Sequence, residues 1–237
     1  MLRLAPVIAV VVATALPARA DVRAFTRTYE YGTQPEGKTA VELWHTQGKR
    51  AFEGALEIEH GLTEHWDAGL VTVVSHVAAD DTAAAEALHL ASVRLESRYR
   101  FADRAEWPVD LQLMLVAGKA FGRSDYAAGG RVIAARDFDR ITVAANATID
   151  VLAGAAREDT EVVLGWAAGA TYSAHAKVRL GAETWGQAVV EGDLSAVAGP
   201  TLGLSPTSTF WITATAGFGL VDDAPDFEAR AILGLEL

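Results

Sequence analysis

Apolar and polar residues alternate along most of this chain. Leu56 and Ile58 alternate with Glu57 and Glu59, and Val93, Leu95, Ser97, Tyr99 and Phe101 alternate with Arg94, Glu96, Arg98 and Arg100. Ile141, Val143, Ala145, Ala147 and Ile149 form a further apolar row, as do alternate residues from Phe210 to Leu220 and from Phe227 to Leu237. Successive side chains of a strand point to opposite faces, so each run has one apolar and one polar face. The pattern predicts an all-β chain of twelve strands, at about 39–47, 50–60, 65–77, 88–101, 109–121, 130–136, 140–151, 161–172, 178–187, 195–205, 209–220 and 227–237. Helical periodicity is confined to the alanine-rich stretch from Thr82 to Leu90, which reads as a helix in a loop.

Most of these runs are longer than the strands of ordinary globular proteins, which average about 5–6 residues. Tilted membrane-spanning strands need about 9–11, so length favours a transmembrane antiparallel up-and-down β-barrel. The connections sort the same way. Gly61 to Glu64, Asp137 to Asp139, Ser173 to Ala176 and Ser205 to Ser208 are short, and they alternate with longer polar stretches at Ala78 to Glu86, Gly122 to Gly130, Ala153 to Thr160, Gln187 to Leu194 and Val221 to Asp226. Outer-membrane barrels carry tight periplasmic turns and longer outside loops. A C-terminus in the periplasm places all the longer stretches outside, with Ala102 to Pro108 as a long exception among the turns. Aromatic residues fall into two bands, as rings that favour the headgroup level should. Trp66, Tyr99, Phe101, Trp107, Phe138, Tyr172 and Phe210 lie toward the periplasmic strand ends, and Phe52, Phe121, Trp185, Phe218 and Phe227 toward the outer ends.

The beginning of the chain has a different layout. Arg3 precedes an apolar run from Ala5 to Pro17, and Ala18-Arg19-Ala20 supplies the small residues a signal peptidase reads. That layout predicts a secretory signal peptide over 1–20, cleaved before Asp21. The apolar run is shorter than the ~20 residues that cross a bilayer as a helix. Residues 21–35 also alternate, with Phe25, Tyr29 and Tyr31. A thirteenth strand breaks the even count expected of a bacterial barrel, so 21–38 reads as an N-terminal lead-in or lumen insert ahead of a barrel over 39–237.

Apolar residues make up 51% of the chain and there is no cysteine, so stability has to come from burial and strand closure. The net charge of −11 excludes the basic surface a nucleic acid needs. It is compatible with a membrane barrel, whose charges sit in the lumen and loops.

On parity, the lumen-facing candidates are Glu57, Glu59, Arg94, Glu96, Arg98, Arg100, Asp110, Arg179, Glu183 and Arg230; Glu42, Glu53, Asn146, Asp150, Glu228 and Glu236 share that parity. Charges in a low-dielectric interior have to pair or stay hydrated. Two readings follow. In one, a salt-bridge network fills a narrow barrel. In the other, a hydrated pore attracts anionic or zwitterionic solutes through the row Arg94, Arg98 and Arg100. Glu57 and Glu59 fall near the level of Arg98 and Arg100, where a charged constriction is expected.

Catalysis has little to stand on. P-loop, G-x-S-x-G and C-x-x-C patterns are missing. Ser75 and His76 are adjacent on one strand and point to opposite faces, and Ser173 and His175 lie in a short turn. His60 and His65 flank one turn without a third ligand. We therefore expect no enzyme activity, no cofactor and no metal.

Two stretches carry a family resemblance. Glu57-Ile58-Glu59-His60-Gly61-Leu62-Thr63-Glu64-His65-Trp66-Asp67-Ala68-Gly69-Leu70 resembles the strand–GLT(D/E)–strand hairpin of small bacterial outer-membrane β-barrel proteins of uncharacterised function, and Arg131 to Asn146 resembles their paired strands around a short turn. The family pattern closes on a terminal aromatic, where this chain has Leu237. The resemblance implies a barrel in the outer membrane, with membrane lipid and the barrel-assembly machinery as partners, and it names no substrate. Three functions remain open: a narrow channel or transport barrel for small polar solutes, a structural or interaction barrel plugged by its own charges, and a soluble exported carrier like a lipocalin, with the apolar face inward.

Overall fold

The structure, a computed structural model, describes residues 23–78, 86–121, 125–154, 160–190 and 192–237. Twelve strands form one closed antiparallel barrel: β1 Thr39–Gly48, β2 Ala51–Thr63, β3 Trp66–Val77, β4 Glu86–Arg100, β5 Asp110–Ala120, β6 Asp125–Phe138, β7 Ile141–Gly154, β8 Glu161–His175, β9 Val178–Val189, β10 Leu194–Leu204, β11 Phe210–Gly219 and β12 Phe227–Glu236. Each strand pairs with its neighbours in sequence, and β12 closes the sheet on β1, from Ala40 opposite Glu236 to Gly48 opposite Glu228. Closure leaves no unpaired edge, the condition for a sheet surrounded by lipid.

The alternation has the sense expected of a membrane barrel. Leu43, Leu56, Ile58, Leu70, Leu95, Leu115, Val132, Val143, Leu164, Leu180 and Leu233 are exposed on the outer wall, Leu95 by 62%. Their neighbours Glu57, Glu59, Glu96, Arg98, Gln112 and Thr213 are buried inside. A soluble carrier has the reverse arrangement, so the carrier reading is corrected by the facing of these rows. Exposed rings band both ends of the wall: Trp66, Tyr99, Phe101, Trp107, Phe138 and Tyr172 near the rim where β1 begins, and Phe121, Tyr126, Phe218 and Phe227 near the opposite one. Trp185 departs from its expected place in the band. It faces inward, where the Arg27 guanidinium lies 5.8 Å from its ring centre.

Two local expectations also change. β6 begins at Asp125 rather than 130, because Ala127, Ala128, Gly129 and Gly130 carry no hydrophobic period but pair with β5 and β7 on both sides. The first alanine-rich residues, up to 85, lie outside the described ones, and residues 86–90 are the start of β4. There Glu86 and His89 sit opposite Val77 and Ser75, so sheet pairing overrides the local helical tendency. The signal peptide expected at 1–20 lies outside the described residues.

Candidate functional site: the filled lumen

Residues 23–38 enter the barrel at the rim where β1 begins and run inside it. Backbone contact with the sheet is confined to the segment's end. There Glu36 makes an isolated parallel bridge to Gly61, Gly37 N–H donates to the Gly61 carbonyl (2.9 Å), and Gly61 N–H donates to the Lys38 carbonyl (2.9 Å). Ala24, Phe25 and Tyr31 are fully buried, and they form one apolar cluster with Ala135 of β6 and Ala144 of β7.

A buried backbone needs partners for its N–H and C=O groups, and here wall side chains provide them. The Glu183 carboxylate accepts from the backbone N–H groups of Thr26, Arg27 and Thr28, each at 2.9 Å, and from the Thr26 hydroxyl at 2.8 Å. Asn146 imitates a neighbouring strand. Its Oδ1 accepts from Tyr29 N–H (2.7 Å) and its Nδ2 donates to the Tyr29 carbonyl (2.9 Å). Gln112 Oε1 accepts from Gly32 N–H, and Asp67 Oδ2 from Gln34 N–H, both at 2.8 Å. The Thr213 hydroxyl donates to the Arg23 carbonyl. Two wall glycines make room: a Cβ at Gly61 would overlap the Pro35 carbonyl, and one at Gly169 would overlap the Phe25 ring.

Charge pairing follows the same logic. Arg23 of the insert lies 3.0 Å from Glu42, 3.2 Å from Glu57 and 3.6 Å from Glu59. Burial works against its charge, but Glu42 and the neighbouring anions outweigh that and hold its pKa well above the ordinary value. Arg98 grips Asp67 through two hydrogen bonds (Nε–Oδ1 3.0 Å, Nη2–Oδ2 2.8 Å) and pairs with Glu59 at 2.6 Å. Two guanidiniums thus serve four buried carboxylates.

The candidates from parity separate into groups. Glu59 meets Arg98 as the constriction required, whereas Glu57 meets Arg23 of the insert. Arg100 Nε donates to Thr33 Oγ1 (2.9 Å), so it grips the insert. Arg94 pairs with Glu96 at 2.8 Å. Arg179 lies 3.7 Å from Glu30, and Asp110 accepts from Ala105 N–H (2.6 Å) in the connection that follows β4. That connection, 101–109, is long for a turn because it folds against the insert. The Tyr31 hydroxyl donates to the Ala102 carbonyl and Arg104 donates to the Tyr31 carbonyl.

Parity on the strands alone missed Arg23, Arg27, Tyr29 and Gln34, because they lie ahead of β1. The excess of acidic over basic residues on the lumen parity was the available signal, since it required cations from elsewhere.

Among the described residues, the half of the lumen toward the opposite rim holds two cavities. A cavity of about 420 Å³ is lined by Arg27, Tyr29, Trp44, Glu53, Arg94, Arg131, Asp150 and Arg230 among others. A second of about 290 Å³ shares Arg27, Arg131, Thr148 and Asp150 with it. Its arginines lie over aromatic faces: Arg131 4.3 Å from the Tyr29 ring centre, and Arg230 and Arg94 at 4.6 and 5.6 Å from that of Trp44.

The other polar residues do not converge. His60 Nδ1 meets Thr39 Oγ1 at 2.9 Å and His65 Nε2 meets Asp103 Oδ1 at 3.0 Å. Among the described residues no three metal-binding side chains gather. Ser75 Oγ does come within 3.3 Å of His89 Nε2, across strands, but the other ring nitrogen meets the Ala87 carbonyl.

No family profile and no curated relative matches the chain. Among solved structures it is similar to the NanC porin (TM-score 0.59, 12% identity, covering 83% of this chain and 97% of that one). It is also similar to the KdgM porin in complex with disordered oligogalacturonate (TM-score 0.57, 10% identity, 83% and 97%). A third is the translocator domain of the autotransporter NalP from Neisseria meningitidis (TM-score 0.52, 10% identity, 84% and 87%). The likeness is one of fold. The chain shares the closed-barrel fold of these outer-membrane proteins.

Proposed function

We propose that this chain is a bacterial outer-membrane channel for small polar solutes, closed by residues 23–38 and opened when that segment leaves the lumen. The rim where β1 begins faces the periplasm in this reading and the cavities face outside. Export through a signal peptide, insertion by the barrel-assembly machinery and contact with membrane lipid belong to the same reading. The role is passage rather than catalysis: the Ser75–His89 pair has a carbonyl where a hydrolase places a carboxylate.

One observation carries the proposal. Residues 23–35 of the insert are held by side-chain hydrogen bonds and ion pairs, and backbone pairing with the sheet begins only at Glu36, so they can depart without breaking a ladder of the barrel. The porin-like fold supports a channel once the lumen is clear. A second reading, a permanent plug in a structural barrel, is favoured by the three carboxylates around Arg23. Liposome swelling distinguishes them. The full chain should admit small sugars slowly and a chain lacking residues 23–35 should admit them fast. Rapid entry through the full chain contradicts the gate, and a tight barrel after the deletion leaves the structural reading.

A further inference from the structure

Two of the arginines around the larger cavity lack the partners the others have. Arg27 is paired with Glu228 and Arg94 with Glu96. Arg230 is only 7% exposed, yet among the described residues no carboxylate lies within 4.0 Å of it. Its single hydrogen bond is a long one to Thr46 Oγ1 (3.4 Å), and its buried Nε has no partner. Arg131 donates to Thr148 Oγ1 (3.1 Å) and to the Met114 sulfur (4.0 Å), again with no carboxylate of the described residues at ion-pair distance. A buried guanidinium short of acceptors, as Arg230 is, is costly unless something supplies them, and the half-buried Arg131 lines the same cavity of about 420 Å³, within the range of small-molecule sites.

We propose that this cavity binds a compact solute through a single carboxylate, held between Arg230 and Arg131. A guanidinium presents N–H groups in a planar fork that matches a carboxylate's two oxygens. The aromatic faces of Trp44 and Tyr29 already support the two arginines, so their planes are set before the solute arrives. The remaining lining argues against polyanions. Glu53, Asp150 and Glu161 border the same space, and Glu228 and Glu96 balance the other two arginines. The cavity is therefore not a broad positive trap. It offers one local place for one negative group. The inference deepens the channel reading and rests on it for access from outside, while binding itself needs no open gate.

The test uses the full-length barrel folded in detergent, titrated with lactate and followed by calorimetry. Lactate should bind saturably, its neutral amide lactamide should not, and citrate should bind no more tightly than lactate. Arg230→Gln and Arg131→Gln should each weaken lactate at least about tenfold, the effect of losing one charged hydrogen bond of about 1.5 kcal/mol. Arg136→Gln, at the distant turn, should leave binding unchanged. Heat-modifiable gel mobility confirms that each variant is folded, and Arg230→Lys, which keeps the charge without the fork, should bind more weakly than wild type if Arg230→Gln fails to fold. Equal binding of lactamide, tighter binding of citrate, or displacement of lactate by equimolar inorganic phosphate overturns the assignment. A sealed lumen with intact lactate binding defeats the channel reading alone. A conducting barrel indifferent to lactate defeats this inference alone.

Discussion

The Glu183 carboxylate on β9 holds Thr26 of the insert by two atoms, accepting from its backbone N–H at 2.9 Å and its hydroxyl at 2.8 Å. Removing that carboxylate also strands the N–H groups of Arg27 and Thr28. A hydrogen bond to a charged group contributes about 1.5–3 kcal/mol, so Glu183→Ala should loosen the insert substantially, and Glu183→Gln, which keeps one acceptor oxygen, less so. Trypsin cleavage after Arg27 in barrels reconstituted in liposomes measures this, with Glu183→Ala cut fastest. Equal cleavage of all three proteins contradicts the role assigned to Glu183.

Gly169 is the seat of Phe25. A leucine there would occupy the space of the Phe25 ring, while the β9 backbone has to give only slightly, the Ala182 carbonyl lying 3.1 Å from an added Cβ. Gly169→Leu should therefore still form a heat-modifiable barrel but expose Arg27 to trypsin. Loss of the barrel itself would show that the insert and the wall fold as one unit.

Arg98, with Glu59 and Asp67, is expected to matter for the barrel rather than for the gate alone. Deleting one partner of a buried ion pair costs about 3–5 kcal/mol because the others are left uncompensated. Arg98→Ala should lower the urea midpoint of the barrel in detergent. A midpoint equal to wild type would mean that water or the remaining arginines satisfy these acids.

The facing of the strands gives a paired test. Leu95→Arg places a charge against lipid and should cost about 2–4 kcal/mol near mid-membrane. Thr213→Arg lies on the opposite parity, where strand alternation by itself predicts tolerance, but Thr213 is fully buried and bonded to the Arg23 carbonyl. It should expel the insert, giving tryptic cleavage with the barrel intact, whereas Leu95→Arg should reduce insertion yield.

These contrasts mark what was legible in the sequence. Period two located the strands and their facing, because a closed wall between lipid and a polar lumen imposes strict alternation on Leu95 and Glu96 alike. It identified the meeting of Glu59 with Arg98, since both lie at known levels on nearby strands. It did not reveal that Glu57 and Glu183 serve the insert. Residues 23–35 follow no ladder, and their path is set by side-chain acceptors scattered over β1, β2, β3, β5, β7, β9 and β12, with the Thr213 hydroxyl of β11 as a donor. Trp44 and Trp211, both buried, were equally hidden, because a large ring inside a polar lumen breaks the simple division of faces, whereas Trp185 shares the parity of Arg179 and Glu183. Trp44 is accommodated by a hydrogen bond from its Nε1 to Glu42 (2.7 Å) and by the arginines on its face.

The central claim is that residues 23–38 themselves close the lumen. It is tested most directly by recording a barrel lacking residues 23–35 in a planar bilayer, then adding a synthetic peptide of residues 23–38 from the side of the barrel's termini. The full-length protein should show only rare, brief openings, the shortened one should conduct steadily, and the peptide should close it again in a dose-dependent way that Glu183→Ala weakens. Steady conductance from the full-length barrel, or a shortened barrel that stays silent, would contradict the account.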